Sequence, residues 1–262
     1  METARFDYHL PQTLIAERPV EPRDSARLLI AEHDGNFIEH ATVADLPRLL
    51  QRGDLLVLNR TRVFPARLFG RKSTGGTVEI LAIHPLESTT NGKQRWRCFI
   101  RGRIHIGSVI TLDPGGIDIV VAGIDHEDRL VDFPTGIDVM SWCERVGRIP
   151  LPPYIRRSDE PDDRQRYQSV FADRPGSVAA PTAGLHLTST LLDQLSALGI
   201  ETARVELAIG PGTFKPVTTE NIEDHPIHAE RCECPAETIA AIERCRARGG
   251  RVIVVGTTVV RT

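Results

Sequence analysis

The chain has 262 residues, of which 40% are hydrophobic and 26% are charged, which is typical of a soluble globular protein with a sizeable core. No apolar run reaches the roughly 20 residues that a membrane-spanning helix needs, and residues 1–7 lack the apolar segment of a secretory signal peptide. The five cysteines form an odd set in a chain too large to need disulfide bonds, which favours a reducing cytoplasm.

The net charge of −3 hides an uneven distribution of basic residues. Between positions 60 and 103, ten Lys and Arg residues are opposed by two Glu, so this segment carries +8 and the rest of the chain −11. Such a segment suits contact with the phosphates of RNA or DNA. A solvated strand surface rich in Arg accounts for it equally well.

The first 62 residues read as the start of an α/β domain. Helical spacing predicts a helix over 42–50, which Gly53 ends. A short buried strand is predicted over 54–59, and a polar cluster follows at 59–62.

Residues 63–150 read as a series of short strands, with no segment that predicts a good helix. Turn sequences rich in Gly, Pro and Asp separate the strands. This pattern predicts a small barrel or sandwich, with strands over 67–71, 77–83, 95–100, 109–112, 117–122 and 130–133.

Alternating helices and strands return after residue 150. Thr188 is a predicted N-cap for a helix that Gly199 ends. A strand over 201–209, a helix over 236–248 and a strand over 251–256 follow. We therefore predict a layered, discontinuous α/β main domain (1–62 and 151–262) with an inserted small β-barrel or sandwich domain (63–150), and ligands near the carboxyl ends of the strands.

The segment 181–186 is the first candidate for chemistry. It enters the helix after Thr188, so its backbone amides are expected to face a pocket and favour an anion. His186 suits general acid or base work near neutral pH. The alternative is a histidine that only bonds a neighbouring carbonyl. The candidate pocket residues here are Pro181, Thr182, Ala183, Gly184 and His186.

A second Gly-rich turn, 210–216, follows the strand over 201–209. It lacks the third glycine and the following helix of a dinucleotide fingerprint. Contact with a ligand and a purely structural turn are both consistent with it. The candidate ligand contacts are Gly210, Gly212, Thr213 and Lys215.

Two further segments carry polar groups. His225, His228, Cys232 and Cys234 have the wrong spacing for a familiar structural zinc site, so we expect no metal, and the two cysteines read as buried small side chains. His228 and Glu230 fit an acid/base or hydrogen-bonding pair better. After the last strand, Thr257, Thr258 and Arg261 suit a polar ligand or phosphate.

Taken together, these segments resemble the S-adenosylmethionine:tRNA ribosyltransferase-isomerases of queuosine biosynthesis. The resemblance covers essentially the whole chain, and its family fold is an α/β domain with an inserted β-barrel. The matching segments are 6–11, 15–19, 23–29, 53–68, 150–155, 181–186, 210–216, 225–230 and 256–262.

The resemblance implies an activity and its substrates. The ribosyl group of S-adenosylmethionine is transferred to 7-aminomethyl-7-deazaguanine at the tRNA wobble position, giving epoxyqueuosine, adenine and methionine. S-Adenosylmethionine is thus a cosubstrate, and no metal or other cofactor is expected. A base would remove a proton from the ribose 5′ carbon, which the sulfonium acidifies, and an acid would assist the loss of adenine. We expect a cytoplasmic monomer.

Our hypothesis places the pocket where the segments 59–62, 181–186 and 210–215, the pair His228 and Glu230, and Thr257, Thr258 and Arg261 converge. His186 is the first choice for acid/base work, and Glu230 or His228 is the second. Arg62 and Arg261 would hold carboxylate or phosphate, and the basic insert would meet the anticodon stem-loop. The substrate-binding set is Asn59, Thr61, Arg62, Pro181, Thr182, Ala183, Gly184, Gly210, Gly212, Thr213, Lys215, Thr257, Thr258 and Arg261.

Family members continue past the segment that corresponds to 257–262, so we expect this chain to lack a C-terminal part. Two other functions stay open on the sequence. One is a non-catalytic RNA-binding protein that keeps the basic insert. The other is a structural zinc protein in which His225, His228, Cys232 and Cys234 converge on the metal.

Overall fold

The computed structural model describes residues 1–33, 35, 37–87, 89, 91–227 and 229–262. No helix in these residues is long and apolar enough to cross a membrane. The helices are α1 Leu46–Leu49, α2 Val139–Val146, α3 Asp163–Arg166, α4 Ser189–Ala197, α5 Ala236–Ala247 and α6 Thr257–Arg261. The strands are β1 Arg27–Ala31, β2 Ile38–Thr42, β3 Leu55–Asn59, β4 Thr61–Val63, β5 Arg67–Lys72, β6 Thr77–Pro85, β7 Gln94–Arg101, β8 Val109–Asp113, β9 Ile117–Asp125, β10 Asp128–Phe133, β11 Arg174–Ser177, β12 Glu201–Leu207, β13 Cys232–Glu233 and β14 Val252–Val254.

A four-stranded sheet with the order β13-β12-β3-β14 forms the centre of the main domain. Strands β12, β3 and β14 run parallel, and β13 is antiparallel to β12. Successive side chains of β3 point to opposite faces. Leu56 and Leu58 pack with α4, whereas Leu55 and Val57 pack with α5. These three layers confirm the predicted α/β architecture.

A buried carboxylate ties the beginning of β3 to the beginning of β14. Asp54 is fully buried and accepts hydrogen bonds from the Arg251 guanidinium at 2.6 and 3.1 Å. The amide of Gln51 donates to the same carboxylate at 2.8 Å. The bonds from Arg251 hold the pKa of Asp54 below its ordinary value of 3.8, although burial acts in the opposite direction.

Strands β5 to β10 close into an antiparallel barrel with the order β10-β7-β6-β5-β8-β9. Its core contains Trp96, whose ring makes edge contacts with Phe64 and Phe133 at centroid distances of 6.2 and 6.4 Å. The closed barrel confirms the predicted inserted barrel, and its strands all lie within 63–150.

Helix α2 packs into the core of the barrel and corrects the prediction that 63–150 contains no good helix. Val139, Trp142 and Cys143 of this helix are part of the barrel core. The Asp138 side chain accepts a hydrogen bond from the amide of Met140 at 3.1 Å, as an N-cap does. Apolar spacing of three and four residues was therefore present, but the helix has only 8 residues and follows a run of strands. The helix predicted over 42–50 is also shorter than expected. This segment forms a 3₁₀ turn (Val43–Asp45) that is followed by the short helix α1.

The two ends of the barrel segment meet at one junction with the main domain. Arg67 and Arg148 exchange backbone hydrogen bonds of 3.1 and 2.9 Å. At Gly147, a Cβ atom would lie 1.9 Å from the carbonyl oxygen of Pro65, so only glycine permits this approach. The close junction explains how a barrel is inserted into the α/β domain without disturbing its sheet.

Candidate active site

The carboxyl ends of β3, β12 and β14 lie at one edge of the sheet because these strands are parallel. The 3₁₀ turn Thr182–His186 packs against this edge. Ala183 Cβ lies 3.3 Å from the position that a Cβ on Gly256 would occupy. The predicted turn at 181–186 and the predicted segment 256–262 therefore come together.

Glu230 lies where three of the predicted segments meet. Its Oε1 accepts a hydrogen bond from the amide of Gly210 at 3.0 Å, and its Oε2 accepts one from Arg261 Nη1 at 2.5 Å. The Glu230 side chain is only 11% exposed. The carboxylate is thus fixed in orientation beside the turn that follows β12. Arg261, predicted to hold a substrate carboxylate or phosphate, binds this protein carboxylate.

Asn59 holds the end of β3 to the end of β12. Its Oδ1 accepts hydrogen bonds from the amides of Leu207 and Thr61 at 3.1 and 3.2 Å, and its Nδ2 donates to the Leu207 carbonyl at 3.1 Å. Asn59 is 1% exposed. Its amide group therefore holds the backbone at the ends of these two strands, and the side chain is enclosed by protein, so its predicted direct contact with substrate stays a prediction.

Thr61 has a similar position, and its partner was missed by the sequence analysis. Thr61 Oγ1 lies 2.6 Å from Ser177 Oγ, which accepts a hydrogen bond from the amide of Ile209 at 2.7 Å. Both hydroxyl residues are buried. Ser177 lies in β11, which pairs with β4, and nothing in its local sequence marks it as part of a site.

His186 is the last residue of the 3₁₀ turn, and taken over all its atoms it is exposed to solvent. Partial desolvation of the imidazole, together with the positive charge of Arg23, lowers the pKa of His186 below 6.5. The neutral imidazole, which can accept a proton, is therefore the form present at neutral pH. No hydrogen bond between His186 and Glu230 is found among the described residues.

Arg23 organises the segment behind His186. Its guanidinium donates to the carbonyls of Gln168 at 2.5 Å, Gln165 at 2.8 Å and Leu185 at 3.4 Å. The sequence analysis placed Arg23 only within a family-like segment and gave it no role. A charged residue in a polar N-terminal stretch carries no local signal for such a long-range contact.

The prediction that the backbone amides at 181–186 are free for a ligand is wrong for Gly184, and the next residue, Leu187, also has its amide satisfied within the turn. The amide of Gly184 donates to the Pro181 carbonyl at 2.9 Å, and the amide of Leu187 donates to the Gly184 carbonyl at 3.3 Å. Helix α4 begins only at Ser189, and its N-cap is Thr188 as predicted, with Oγ1 accepting from the amide of Leu191 at 3.1 Å. The turn therefore satisfies its own amides. Of its predicted pocket residues, Pro181 and Gly184 are buried, and Thr182 and Ala183 are exposed.

Two predicted basic contacts point to the barrel. Lys215 forms an ion pair with Glu127, which lies between β9 and β10. Arg62 Nη2 lies 4.0 Å from the carboxylate of Glu144 in α2. Both cations thus approach carboxylates of the inserted domain.

The remaining predicted residues differ in their exposure to solvent. Gly210 and Gly212 are half-buried, and Thr213 and Thr257 are exposed. Thr258 is half-buried, and its Oγ1 has no hydrogen-bond partner among the described residues. His228 lies outside the described residues, so its predicted role stays a prediction.

Cys232 and Cys234 were expected to be buried, which is wrong for Cys232. Cys232 is exposed and Cys234 is half-buried, because β13 is a two-residue strand at the sheet edge. Within the described ranges, no three His, Cys, Asp or Glu side chains group in a way that would hold a metal ion.

The charge of +8 over 60–103 is largely compensated by strands that follow later in the sequence. Arg95 pairs with Asp132 at 2.6 Å, and Arg97 pairs with Asp125 at 2.5 Å. The insert as a whole (63–150) contains 11 basic and 10 acidic residues, a net charge of +1. A charge counted along the sequence therefore overstated the basic character of the folded insert.

The chain is similar to known proteins over its whole length. Residues 3–262 match the queuosine biosynthesis protein family. Proteins named S-adenosylmethionine:tRNA ribosyltransferase-isomerase from Pelobacter propionicus and Geobacter sulfurreducens are each 46% identical to it over 264 aligned residues. The one from Acidithiobacillus ferrooxidans is 48% identical over 263. These alignments cover 100% of this chain and 74–76% of the relatives, so the chain spans about three quarters of their length.

A solved structure is also similar. The crystal structure of S-adenosylmethionine tRNA ribosyltransferase from Thermotoga maritima is 30% identical, with a TM-score of 0.44, over 98% of this chain and 70% of that one. The family match and the identities to its curated members decide the assignment. The chain belongs to the queuosine biosynthesis protein family, the family of the S-adenosylmethionine:tRNA ribosyltransferase-isomerases.

Proposed function

We propose that this protein transfers and isomerises the ribosyl group of S-adenosylmethionine onto 7-aminomethyl-7-deazaguanine at the tRNA wobble position. The products are epoxyqueuosine in tRNA, adenine and methionine. Membership of a family of tRNA ribosyltransferase-isomerases supports the reaction class. The choice of 7-aminomethyl-7-deazaguanine as the acceptor nucleobase, and of the three products, is our own extension of that family assignment.

The fixed carboxylate of Glu230 is the observation that carries the proposal. It joins the segments 210–216, 225–230 and 257–262 at the carboxyl edge of the sheet through Gly210 and Arg261. Open α/β sheets bind ligands at this edge. An oriented carboxylate there suits removal of a proton from the ribose 5′ carbon, which the adjacent sulfonium acidifies.

His186 supplies a second proton-transfer group. Its neutral imidazole accepts the proton that the acceptor amine loses as its nitrogen bonds to the ribosyl group, and the resulting imidazolium returns this proton to adenine as the glycosidic bond breaks. Methionine leaves when the epoxide closes, and the electron pair of the broken carbon–sulfur bond stays on sulfur. Well-placed acid/base groups of this kind contribute on the order of 10²–10⁴ in rate. No metal or other cofactor is part of the proposed reaction.

Release of adenine tests the proposal directly. The purified chain is incubated with S-adenosylmethionine and a tRNA that carries 7-aminomethyl-7-deazaguanine at the wobble position, and adenine and methionine are quantified by chromatography. We expect equal amounts of both, and none with the same tRNA carrying guanine. Absence of adenine under conditions in which one of the curated relatives releases it would reject the enzymatic function for this chain and leave RNA binding without catalysis.

A further inference from the structure

The outer surface of three neighbouring barrel strands combines exposed aromatic and basic side chains. Strands β5, β6 and β7 are adjacent and antiparallel, and their alternate residues point outwards. Phe69, Glu79 and Arg101 form one cross-strand row, and Arg67, Leu81 and Phe99 form the next. We call this surface the β5–β7 face.

The aromatic side chains of the β5–β7 face are not needed for the barrel core. Phe99 is 38% exposed, whereas Cys98 and Ile100 on either side of it are buried. Phe69 lies under two guanidinium groups, with Arg67 at 5.2 Å and Arg148 at 5.5 Å from the ring centroid. Folding alone does not require a large aromatic ring at position 99, because its strand neighbours already fill the interior.

The acidic residue of this surface is neutralised, but several cations are not. Both carboxylate oxygens of Glu79 accept hydrogen bonds from Arg67, at 2.9 and 3.1 Å. Arg71, Arg101 and Arg103 are exposed and have no acidic partner in the part of the chain that the structure describes. Lys72 lies beside them, with its Nζ 3.4 Å from the Arg103 carbonyl. The positive charge of the insert is therefore concentrated here, even though the whole insert carries a net charge of only +1.

We propose that the β5–β7 face binds a single-stranded segment of RNA. Phe99 provides a stacking surface for one unpaired base, and Arg71, Arg101 and Arg103 contact the neighbouring phosphates. Sheet surfaces that carry aromatic rings among basic residues recognise unstacked bases in this way. The proposal rests on the proposed function, since a tRNA substrate offers loops with unpaired bases and a backbone of matching charge.

The geometry favours a loop over a regular duplex. The bases of an A-form duplex are stacked on each other, so Phe99 could not reach their faces, whereas the cations would still contact phosphates. An acidic peptide would satisfy the cations and leave the aromatic ring without a matching partner. These differences decide the choice of probes.

Binding is measured by fluorescence anisotropy with an unmodified, labelled anticodon stem-loop RNA, without S-adenosylmethionine. We expect Phe99→Ala to weaken binding about tenfold and Phe99→Tyr to restore it, because tyrosine retains the ring. The control Ile124→Ala removes an exposed apolar side chain from β9, on the opposite side of the barrel, and should leave the affinity unchanged.

The charge contribution is measured with the double variant Arg71→Gln/Arg101→Gln. Loss of two phosphate contacts should lower the steepness of log Kd against log salt by roughly 1.4, on the scale for single strands. The matched control Arg244→Gln/Arg246→Gln removes the same charge from exposed positions of α5 and should retain the wild-type slope. Circular dichroism melts establish that every variant is folded.

Three results would overturn the inference. They are no binding of the stem-loop by the wild-type chain, equal losses for the target and control variants, or a Phe99→Ala effect that is as large with duplex RNA or polyglutamate. The failure of the proposed function is a separate result, because this assay needs no chemistry. Binding through the β5–β7 face without adenine release would reject the enzyme and retain the RNA surface.

Discussion

The carboxylate of Glu230 accepts a hydrogen bond from the Arg261 guanidinium at 2.5 Å, and these residues are 31 positions apart in the sequence. Together with the hydrogen bond from the Gly210 amide to the same carboxylate, the contact places the end of α6 beside the turn that follows β12. It also fixes the carboxylate that we propose as a base. The catalytic role of this pair and its role in folding can be measured separately, as turnover and as unfolding free energy.

Glu230→Gln removes the charge but retains an acceptor for the Gly210 amide. We expect adenine release to fall by a factor on the order of 10²–10⁴, while the free energy of unfolding changes by at most about 1 kcal/mol because Arg261 is partly exposed. Turnover and denaturant unfolding measure the two effects. Glu243→Gln, at an exposed position of α5, is the control. A Glu230→Gln variant with wild-type turnover would show that Glu230 only orients the chain.

The pKa of His186 gives a pH-dependent prediction. Because desolvation and Arg23 lower its pKa below 6.5 in the folded protein, the imidazole should titrate below 6.5 in a two-dimensional NMR experiment. Arg23→Gln removes a positive charge and should raise this pKa, and the acid limb of the activity profile should move up with it. Arg23→Lys keeps the charge and should keep the pKa low. Identical titrations in both variants would contradict the assignment to Arg23.

The same shift predicts how folding stability depends on pH. The unfolded state binds more protons than the folded state at pH values between the lowered pKa of His186 and 6.5. The stability from neutral His186 is therefore complete above 6.5 and is lost as the pH falls through the folded pKa. His186→Gln should flatten this part of the stability curve, as measured by urea unfolding at a series of pH values. An unchanged curve would mean that His186 is not desolvated.

The buried hydroxyl pair of Thr61 and Ser177 predicts a loss of stability on substitution. Ser177→Ala leaves the buried amide of Ile209 without its acceptor and should cost about 1–3 kcal/mol in unfolding free energy. Thr61→Val retains the shape and the acceptor for Ile209, so its cost should be smaller. Ser196→Ala, on the exposed side of α4, should be neutral. Chemical denaturation of these three variants decides the order, and a neutral Ser177→Ala would reject the role given to its hydroxyl.

Two glycines of the candidate site should respond differently to alanine. At Gly184 a Cβ would lie 2.9 Å from Phe171 Cζ, so Gly184→Ala must displace a buried ring and should cost about 1–3 kcal/mol. At Gly210 a Cβ would lie 3.9 Å from Glu230 Oε1, and φ is −87°, so Gly210→Ala should fold normally. Thermal unfolding distinguishes the two. If both variants were equally stable, the close packing at Gly184 would be wrong.

Much of the fold could be predicted from local patterns. Alternation in β12, the apolar run of β3 and the N-cap Thr188 all have local causes, since they follow from side-chain periodicity and from hydrogen bonds between near neighbours. Helix α2 was missed because its apolar residues complete a barrel core that is assembled from distant strands. A helix of 8 residues also spans only about two turns, so its apolar spacing is a weak indication of a helix.

The sequence by itself determined the fold class and the β-rich insert, because these depend on composition, periodicity and turn chemistry. Only the tertiary structure decided which side chains act on which partners. Arg261 binds Glu230, Asn59 and Thr61 are buried, and the acids of β9 and β10 neutralise Arg95 and Arg97. Ion pairing and burial are set by distances in space between residues far apart in the chain, and no local pattern encodes those distances.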